Sequence, residues 1–330
     1  MRILHVAGYG VKMGVSGTAL VLKSREGSKK VPLSEVDVVI VASSGVSISS
    51  RALRKLVSAG IELILLDSRG LPVGLLYASH YTRTPATRRA QYLSYNARLG
   101  VQIASAIARC KAMTQASVLQ RLSVDFGVRE ARDSVKAILE RVGKLDVERL
   151  PEALDEARSI IMGVEAEIAR IYWSSIALIV PGDVGFEGRD REAGDPLNAS
   201  LNYGYGILYG LAWRALVLAG LDPYAGFLHV DRSGKPVLAF DYVEMWRAPV
   251  IDEVLVRALR RGWRPTVEDG RLSYESRAQI ASLIAERLRQ HCPGAYRYMS
   301  FEEAIRGYAL KLAESLRHGA PYRCYEGGWS

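Results

Sequence analysis

The stretch VDVVIVASSGVSISSRALRKLVSAGIELILLD spans residues 36–67 and decides the fold of the first part of the chain. Its two ends, VDVVIVA and IELILLD, are short runs rich in valine, isoleucine and leucine, which is typical of strands. Between them, a serine-rich cap precedes Ser50 to Ala59 and Gly60 follows, a pattern that predicts one helix. Similar apolar runs occupy residues 3–8, 18–24, 29–34 and 72–78. We therefore predict that residues 1–80 form a small β-rich domain with a free sheet edge.

The pattern changes after residue 80. Residues 79–92 (SHYTRTPATRRAQY) combine helix-breaking residues with an arginine cluster, so we predict a linker over 81–93. Beyond it, apolar residues recur at three-and-four spacing, which predicts helices. The expected helices are Ala90 to about Leu122, Arg129–Val142, Val147 to about Val180 with a break near Ser159, Leu197–Ala219, Phe240–Arg261, Tyr274–His291 and Ser300–Arg317. The fold class is therefore α+β, with the β-rich domain followed by a larger, mostly α-helical domain over 94–330.

Composition and charge narrow the class of partner. The chain has 330 residues and a formal net charge of +9, and most of its basic residues are arginine. Arginine suits bidentate contacts with phosphate, and a basic balance favours a polyanionic partner such as nucleic acid or a membrane surface. The longest apolar run, near residues 171–181, is too short to span a bilayer. We expect a soluble, cytoplasmic protein that does not act at a membrane.

Three weaker patterns predict no site. The odd number of cysteines, Cys110, Cys292 and Cys324, argues against a disulfide framework. Two pairs, His291–Cys292 and His318 with Cys324, lack the paired spacing of a zinc site. The glycines near residues 8–14 have the wrong spacing for a dinucleotide fingerprint and are better interpreted as turn residues.

Residues 229–247 (HVDRSGKPVLAFDYVEMWR) carry a histidine and two carboxylates in an otherwise apolar setting. On a helix, Asp241 and Glu244 share one face, and the Ser-Gly-Lys-Pro turn can fold His229 back beside them. A further carboxylate, Glu165, lies in the apolar helical segment GVEAEIARIYW (163–173). Together these groups predict a divalent metal site, with oxygens suited to Mg²⁺ or Mn²⁺ and an imidazole that favours Mn²⁺.

Each of these residues also has a structural interpretation. His229 is typical of a buried, hydrogen-bonded histidine, and Asp241 of a helix N-cap. Glu244 can pair with Arg247 one helical turn later. A carboxylate on the apolar side of a helix, such as Glu165, needs a partner, which an arginine or a histidine supplies as well as a metal. The residue chemistry alone leaves both interpretations open.

Several motifs in a fixed order resemble one known family, the CRISPR-associated integrase and endonuclease of spacer acquisition (Cas-one). The motifs are residues 31–74, RRAQY (88–92), KAMTQ (111–115), GVEAEIARIYW (163–173), DPLNASLNYGYGILYG (195–210), GFLH (226–229) and FDYVEMWR (240–247). The resemblance covers most of the chain. It implies an N-terminal β domain that forms a homodimer, a helical catalytic domain with one metal site, and assembly with a small partner protein (Cas-two).

The resemblance also implies site residues and a reaction. By position, Glu165, His229 and Asp241 correspond to the metal ligands, and Glu244 is the fourth residue of the catalytic set, an acidic one that ligates the metal through water or orients the site. The implied reaction is attack by the 3′-hydroxyl of a short DNA duplex on a phosphodiester of the CRISPR repeat, with Mg²⁺ or Mn²⁺ neutralising charge. The candidate DNA contacts are Arg88, Arg89, Lys111, Arg189, Arg191 and Arg247.

Two other functions stay open from the sequence. One is a hydrolytic nuclease on branched or single-stranded DNA, which uses the same site with water as nucleophile. The other is a non-catalytic DNA-binding scaffold whose acidic cluster is structural.

Overall fold

The structure is a computed structural model that describes residues 2–25, 27–67, 72–78, 85–192, 194–268 and 271–328. The predicted β-rich part forms two four-stranded sheets, in the orders β1-β5-β7-β8 and β4-β3-β2-β6. The strands are β1 (Ile3–Val6), β2 (Lys12–Ser16), β3 (Ala19–Ser24), β4 (Gly27–Pro32), β5 (Val38–Val41), β6 (Ser47–Ile48), β7 (Glu62–Leu66) and β8 (Pro72–Leu76). The stretch 36–67 supplies β5, β6, the helix α1 (Ser50–Ser58) and β7, so it connects both sheets.

Strand β5 lies at the centre of the first sheet and is buried on both faces. It pairs in parallel with β1 and β7, and α1 lies in the crossover between β5 and β7 that a parallel pair requires. Because successive side chains of a strand point to opposite faces, Val39 joins the small core between the sheets. Val38 and Ile40 point the other way and join the large core of the helical part.

The helical part follows, with helices of 8 to 28 residues packed around that large core. Its helices are α2 (Pro85–Tyr95), α3 (Arg98–Asp125), α4 (Arg129–Val142), α5 (Leu154–Ile179), α6 (Pro196–Leu218), α7 (Val237–Arg247), α8 (Glu253–Arg260), α9 (Tyr274–Arg289) and α10 (Phe301–His318), with a short hairpin of β9 (Val267–Glu268) and β10 (Arg271–Leu272). Helix α6 packs so closely on the first sheet that a Cβ at Gly210 would lie 2.5 Å from Ile64 Cδ1. The α+β class is confirmed, and one continuous core joins the two parts.

Several predicted boundaries were wrong. The single helix predicted from Ala90 to about Leu122 is divided, because α2 ends at Tyr95 and α3 begins at Arg98. The segment predicted as a linker over 81–93 is helical from Pro85 onward, and its residues 81–84 lie outside the described residues. Helix α5 runs without a break at Ser159. The helix predicted over Phe240–Arg261 is divided by a π-helical turn, Ala248–Asp252, where Pro249 has no N–H to continue the α-helical pattern.

The expectation against a disulfide was also wrong. Cys110 of α3 is bonded to Cys324 of the C-terminal segment, residues 320–328, and Cys292 remains a buried thiol. The segment is docked: the ring of Tyr325 is fully buried and stacks on Trp246 of α7 with centroids 4.9 Å apart. Ser117 Oγ donates a hydrogen bond to the Gly328 carbonyl over 2.8 Å. The segment therefore fastens α3 and α7 together.

None of the described helices is both long enough and apolar enough to cross a bilayer.

Candidate functional site

The four predicted site residues come together where α3, α5 and α7 meet. Glu165 projects from α5, Asp241 and Glu244 project from α7, and His229 lies on the loop that precedes α7. A residue of the predicted DNA-binding set, Lys111 of α3, lies among them. Segments far apart in the chain therefore build one cluster of charged side chains at the helix crossing.

Asp241 holds the loop that carries His229. Its Oδ2 accepts hydrogen bonds from the backbone N–H groups of Phe227 and Leu228, at 2.6 and 2.9 Å. Its Oδ1 accepts one from the backbone N–H of His229 at 3.0 Å and lies 2.7 Å from His229 Nδ1. An ionised carboxylate only accepts, so Nδ1 carries a proton, and in the neutral imidazole Nε2 has a free lone pair. Fully buried and engaged at both oxygens, Asp241 is placed to orient His229.

Other helices fix the same loop from outside. Gly226 allows the close approach, because a Cβ there would lie 2.5 Å from Val237 Cγ1 and 2.8 Å from Asp241 Oδ2. The buried Arg158 of α5 donates from Nε to the Phe227 carbonyl over 2.7 Å. Gln91 of α2, from the RRAQY motif, donates from Nε2 to the carbonyls of Asp222 and Ala225. Sequence reasoning missed the roles of Arg158 and Gln91, although RRAQY was among the motifs.

Glu244, the second carboxylate of α7, pairs with cationic side chains instead of backbone N–H groups. Glu244 is 3% exposed, and its Oε1 lies 2.5 Å from Arg247 Nη1. Its Oε2 lies 2.7 Å from Lys111 Nζ in an ion pair whose angles are not those of a hydrogen bond. The same ammonium donates a short hydrogen bond to Glu165 Oε1. Lys111 therefore bridges the carboxylates of α5 and α7.

Neighbouring charges oppose the effect of burial on the pKa values of the side chains in this cluster. Burial acts to raise the pKa of Glu244, but the charges of Arg247, Lys111 and His229 outweigh it and hold that pKa at about 2. Burial acts to lower the pKa of His229, but the hydrogen bond and charge of Asp241 raise it above its ordinary value. Burial also opposes the charge of Lys111, yet the two glutamates raise its pKa. The carboxylate of Glu244 and the ammonium of Lys111 are both charged at neutral pH.

The donor set fits a divalent cation in type. Among the described residues, no three acidic, histidine or cysteine side chains are close enough, as they stand, to hold a metal ion. At the centre of the cluster, the ammonium of Lys111 lies between the carboxylates of Glu165 and Glu244 and contacts both of them. Two carboxylates that share one cation, next to an imidazole with a free Nε2, are the oxygen and nitrogen ligands that Mg²⁺ and Mn²⁺ prefer.

A cavity of about 660 Å³ opens beside Glu244. Its wall is basic and aromatic, with Lys111, Gln115, Trp173, Arg189, Arg191, Tyr205, Tyr209 and Arg247 among the lining residues. The guanidinium of Arg247 lies over the ring of Tyr205 at 4.9 Å. Such a combination of cationic and aromatic groups suits phosphate and base.

The Asp-Pro-x-Asn motif at 195–198 lies behind Arg189, one of the residues that line this cavity. Asp195 caps α6 by accepting from the N–H groups of Leu197 and Asn198. Asn198 Oδ1 accepts from Arg189 Nη1 over 2.9 Å, and its Nδ2 donates to the Gly188 carbonyl over 2.8 Å. The motif therefore fixes the loop that carries Arg189, a role that the sequence did not reveal.

The predicted DNA contacts divide into two groups. Lys111, Arg189, Arg191 and Arg247 all line the cavity. Arg88 and Arg89 lie on α2 away from it, the first partly buried and the second exposed.

The chain is similar to known proteins over nearly its whole length. A family model described as CRISPR associated protein Cas1 matches residues 4–286. A protein of Saccharolobus solfataricus named CRISPR-associated endonuclease Cas1 2 is 35% identical over 330 residues, covering 99% of this chain and 98% of that protein. CRISPR-associated endonuclease Cas1 of Hyperthermus butylicus is 34% identical, covering 98% and 97%. The chain belongs to the Cas1 family, and the resemblance recognised from its motifs is confirmed.

Solved structures share the fold. A casposase bound to integration product superposes with a TM-score of 0.86 at 22% identity, covering 99% of this chain and 93% of that one. A Cas1 protein from Thermotoga maritima gives a TM-score of 0.79 at 20% identity, covering 99% of both chains. Both of the relatives named above are called endonucleases, and the solved structures show that their fold is shared with this chain.

Proposed function

We propose that this protein is a metal-dependent DNA integrase of spacer acquisition. It joins the 3′-hydroxyl end of a short DNA duplex to a phosphodiester of a CRISPR repeat. The observation that carries this proposal is that Lys111 bridges Glu165 and Glu244 beside a cavity lined with arginine, with His229 near enough for both carboxylates to raise its pKa. Carboxylates and an imidazole beside a phosphate-binding surface suit phosphodiester exchange.

Glu165, Glu244 and His229 Nε2 would hold the metal. When bound, Mg²⁺ or Mn²⁺ supplies Lewis acidity and neutralises charge at the reacting phosphate. Asp241, expected from the sequence as a ligand, has both oxygens engaged by N–H groups and instead keeps His229 in the tautomer with a free Nε2. Glu244 takes its place among the ligands.

The cavity residues would bind and orient the DNA. Arg189 and Arg247 are held over the ring of Tyr205, and Arg191 is exposed at the edge. Fixed guanidinium groups pair well with phosphate oxygens and leave the base sequence unread. Binding is therefore expected to weaken steeply as salt rises.

Partners follow from the same proposal. The casposase neighbour was solved with integration product, and a further neighbour at a TM-score of 0.77 and 19% identity belongs to a Cas6-RT-Cas1–Cas2 complex. These complexes support DNA and a small Cas2 (Cas-two) partner for this chain. We further propose a homodimer formed through the β-rich part, whose two sheets end in the edge strands β8, β1, β4 and β6.

The test uses supercoiled plasmid and a labelled short duplex with free 3′ ends, with Mn²⁺ or with EDTA. Wild-type protein is compared with His229→Ala and with His318→Ala, a matched control whose histidine is exposed at the end of α10. Label joined to plasmid only with Mn²⁺, in wild type and His318→Ala but not in His229→Ala, is the expected result. The reaction is run with and without the partner protein.

Other outcomes would change the assignment. Plasmid nicking without joining would favour the hydrolytic nuclease, because the same site would then be using water. DNA binding with neither product, unaffected by Glu165→Ala, would favour the non-catalytic scaffold.

A further inference from the structure

Lys111 occupies the position that a metal ion needs. Its ammonium contacts carboxylate oxygens from two helices, Glu165 Oε1 and Glu244 Oε2, and the side chain is only 13% exposed. A divalent ion bound between the same two oxygens requires contacts near 2.1 Å for Mg²⁺. An ammonium and a metal ion of like charge cannot share that space, so one must leave when the other enters.

A hydrogen-bond acceptor for the ammonium of Lys111 lies one helical turn further along α3. Gln115 is 5% exposed, and its Oε1 has no hydrogen-bond partner among the residues that the structure describes. Residues four apart face the same side of a helix, and both side chains line the 660 Å³ cavity. A buried carbonyl oxygen without a donor is unfavourable, and a lysine ammonium is a strong donor for it.

We propose that Lys111 is a resident cation that competes with the divalent ion for Glu165 and Glu244, and that its displaced ammonium turns to Gln115 in the cavity. This inference rests on the proposed function, because it concerns the metal of that site. In the metal-free protein the ion pairs hold the carboxylates together against their mutual repulsion. In the metal-bound protein Lys111 acts as a positioning residue that adds a positive charge beside Arg189 and Arg247.

Metal and DNA would therefore bind cooperatively. The cavity gains a cation for a DNA phosphate only when the metal has taken the carboxylates. Because coupling between two ligands is reciprocal, DNA should tighten metal binding by the factor by which metal tightens DNA binding.

The test measures Mn²⁺ affinity without any reaction. Free Mn²⁺ is followed by electron paramagnetic resonance as it is titrated into wild type, Lys111→Met and Gln115→Leu. Lys136→Met, on the exposed face of α4, is the matched control. We expect Lys111→Met to bind Mn²⁺ about tenfold more tightly, within the roughly 5- to 150-fold range of typical couplings. Gln115→Leu should bind it a few-fold more weakly, because the displaced ammonium loses its acceptor.

The outcomes separate this inference from the proposed function. Absence of Mn²⁺ binding both in wild type and in a folded Lys111→Met would overturn the metal site itself. Binding in wild type with equal or weaker affinity in Lys111→Met would overturn the competition, and unchanged affinity in Gln115→Leu would overturn the proposed destination. Thermal melting checks folding, and Gln115→Leu keeps the test decisive if Lys111→Met does not fold, since it leaves the carboxylate bridge intact.

Discussion

Cys110, one residue before Lys111, is bonded to Cys324, so the helix that carries the central cation of the site is fastened to the C-terminal segment. The two cysteines are 214 positions apart, and the bond therefore closes a long loop. Cross-links of long loops restrict the unfolded chain strongly, at a contribution on the order of 3–5 kcal/mol.

Reduction of this bond is expected to lower the melting temperature by several degrees. The measurement is thermal unfolding with and without a strong reductant, beside a count of free thiols under denaturing conditions. One thiol before reduction and three after it are expected. In the Cys110→Ser/Cys324→Ser protein the reductant should have no further effect, and a wild type equally insensitive to reductant would contradict the prediction.

Asp241→Asn should weaken Mn²⁺ binding by roughly 10- to 100-fold, the usual effect of losing a group that orients a metal ligand. The amide presents an N–H₂ group where backbone N–H groups converge, so the loop and His229 lose their fixed position. Glu156→Gln, exposed on α5, is the control for the same chemical change. Isothermal titration with Mn²⁺ gives the affinities. Complete loss of binding on an intact fold would instead argue that Asp241 is itself a ligand.

Gly226→Ala tests the close approach of the same loop without changing charge. The new methyl group would meet Val237 and the Asp241 carboxylate at distances that require displacement. We expect a loss of about 1–3 kcal/mol in the free energy of unfolding, as for other overpacked sites. Gly163→Ala of α5 is the contrast, because nothing lies near its added methyl group and alanine favours the helix by about 0.5–1 kcal/mol. Urea denaturation should therefore shift the two variants in opposite directions.

Asn198→Ala should release the loop that presents Arg189. The loss of its bonds to Arg189 and to the Gly188 carbonyl is expected to destabilise the fold by about 1–3 kcal/mol. Limited trypsin digestion should then cut after Arg189 faster than in wild type, and DNA affinity should fall. Asn96→Ala, at an exposed position after α2, is the control and should leave the cleavage rate unchanged.

The free energy of unfolding should fall in acid partly because of Glu253. Burial acts to raise the pKa of this carboxyl, but Arg121, Arg287 and Arg257 hold it at about 2, against 4.5 for an ordinary glutamate. A lowered folded-state pKa contributes stability above pH 4.5 that is lost as the pH falls from 4.5 toward 2. The contribution is about 3 kcal/mol. Denaturant titrations between pH 2 and 7 should therefore give a shallower acid limb for Glu253→Gln than for wild type, and equal slopes would contradict the assignment.

Local patterns in the sequence carry the fold because they are repeated over many residues. The apolar runs at the ends of 36–67 lie in the central strands β5 and β7, and Asp195 before Pro196 marks the start of α6. The spacing of Asp241 and Glu244 places both carboxylates near one cluster, as predicted. Helix boundaries were less predictable where the backbone geometry of a single residue determines them. Pro249, for example, lies in the turn that divides a single predicted helix.

The roles within the site could not be read from spacing. Asp241 and Glu244 share a helix face, but backbone N–H groups of the loop before α7 engage the first, whereas Lys111 and Arg247 engage the second. These partners determine which of the two carboxylates has an oxygen in contact with a cationic side chain. The bond between Cys110 and Cys324 likewise has no local signature, because only the packing of the C-terminal segment on α3 brings the sulfurs together.

The docked C-terminal segment also sets an order of assembly during synthesis on the ribosome. Tyr325 completes the packing around Trp246 of α7, and Gly328 accepts the hydrogen bond of Ser117 on α3. These residues are translated after every helix that they fasten. The helices that carry Lys111 and Glu244 consequently gain these contacts only when the nascent chain has emerged beyond residue 328, so the charged cluster cannot reach its final packing before that point.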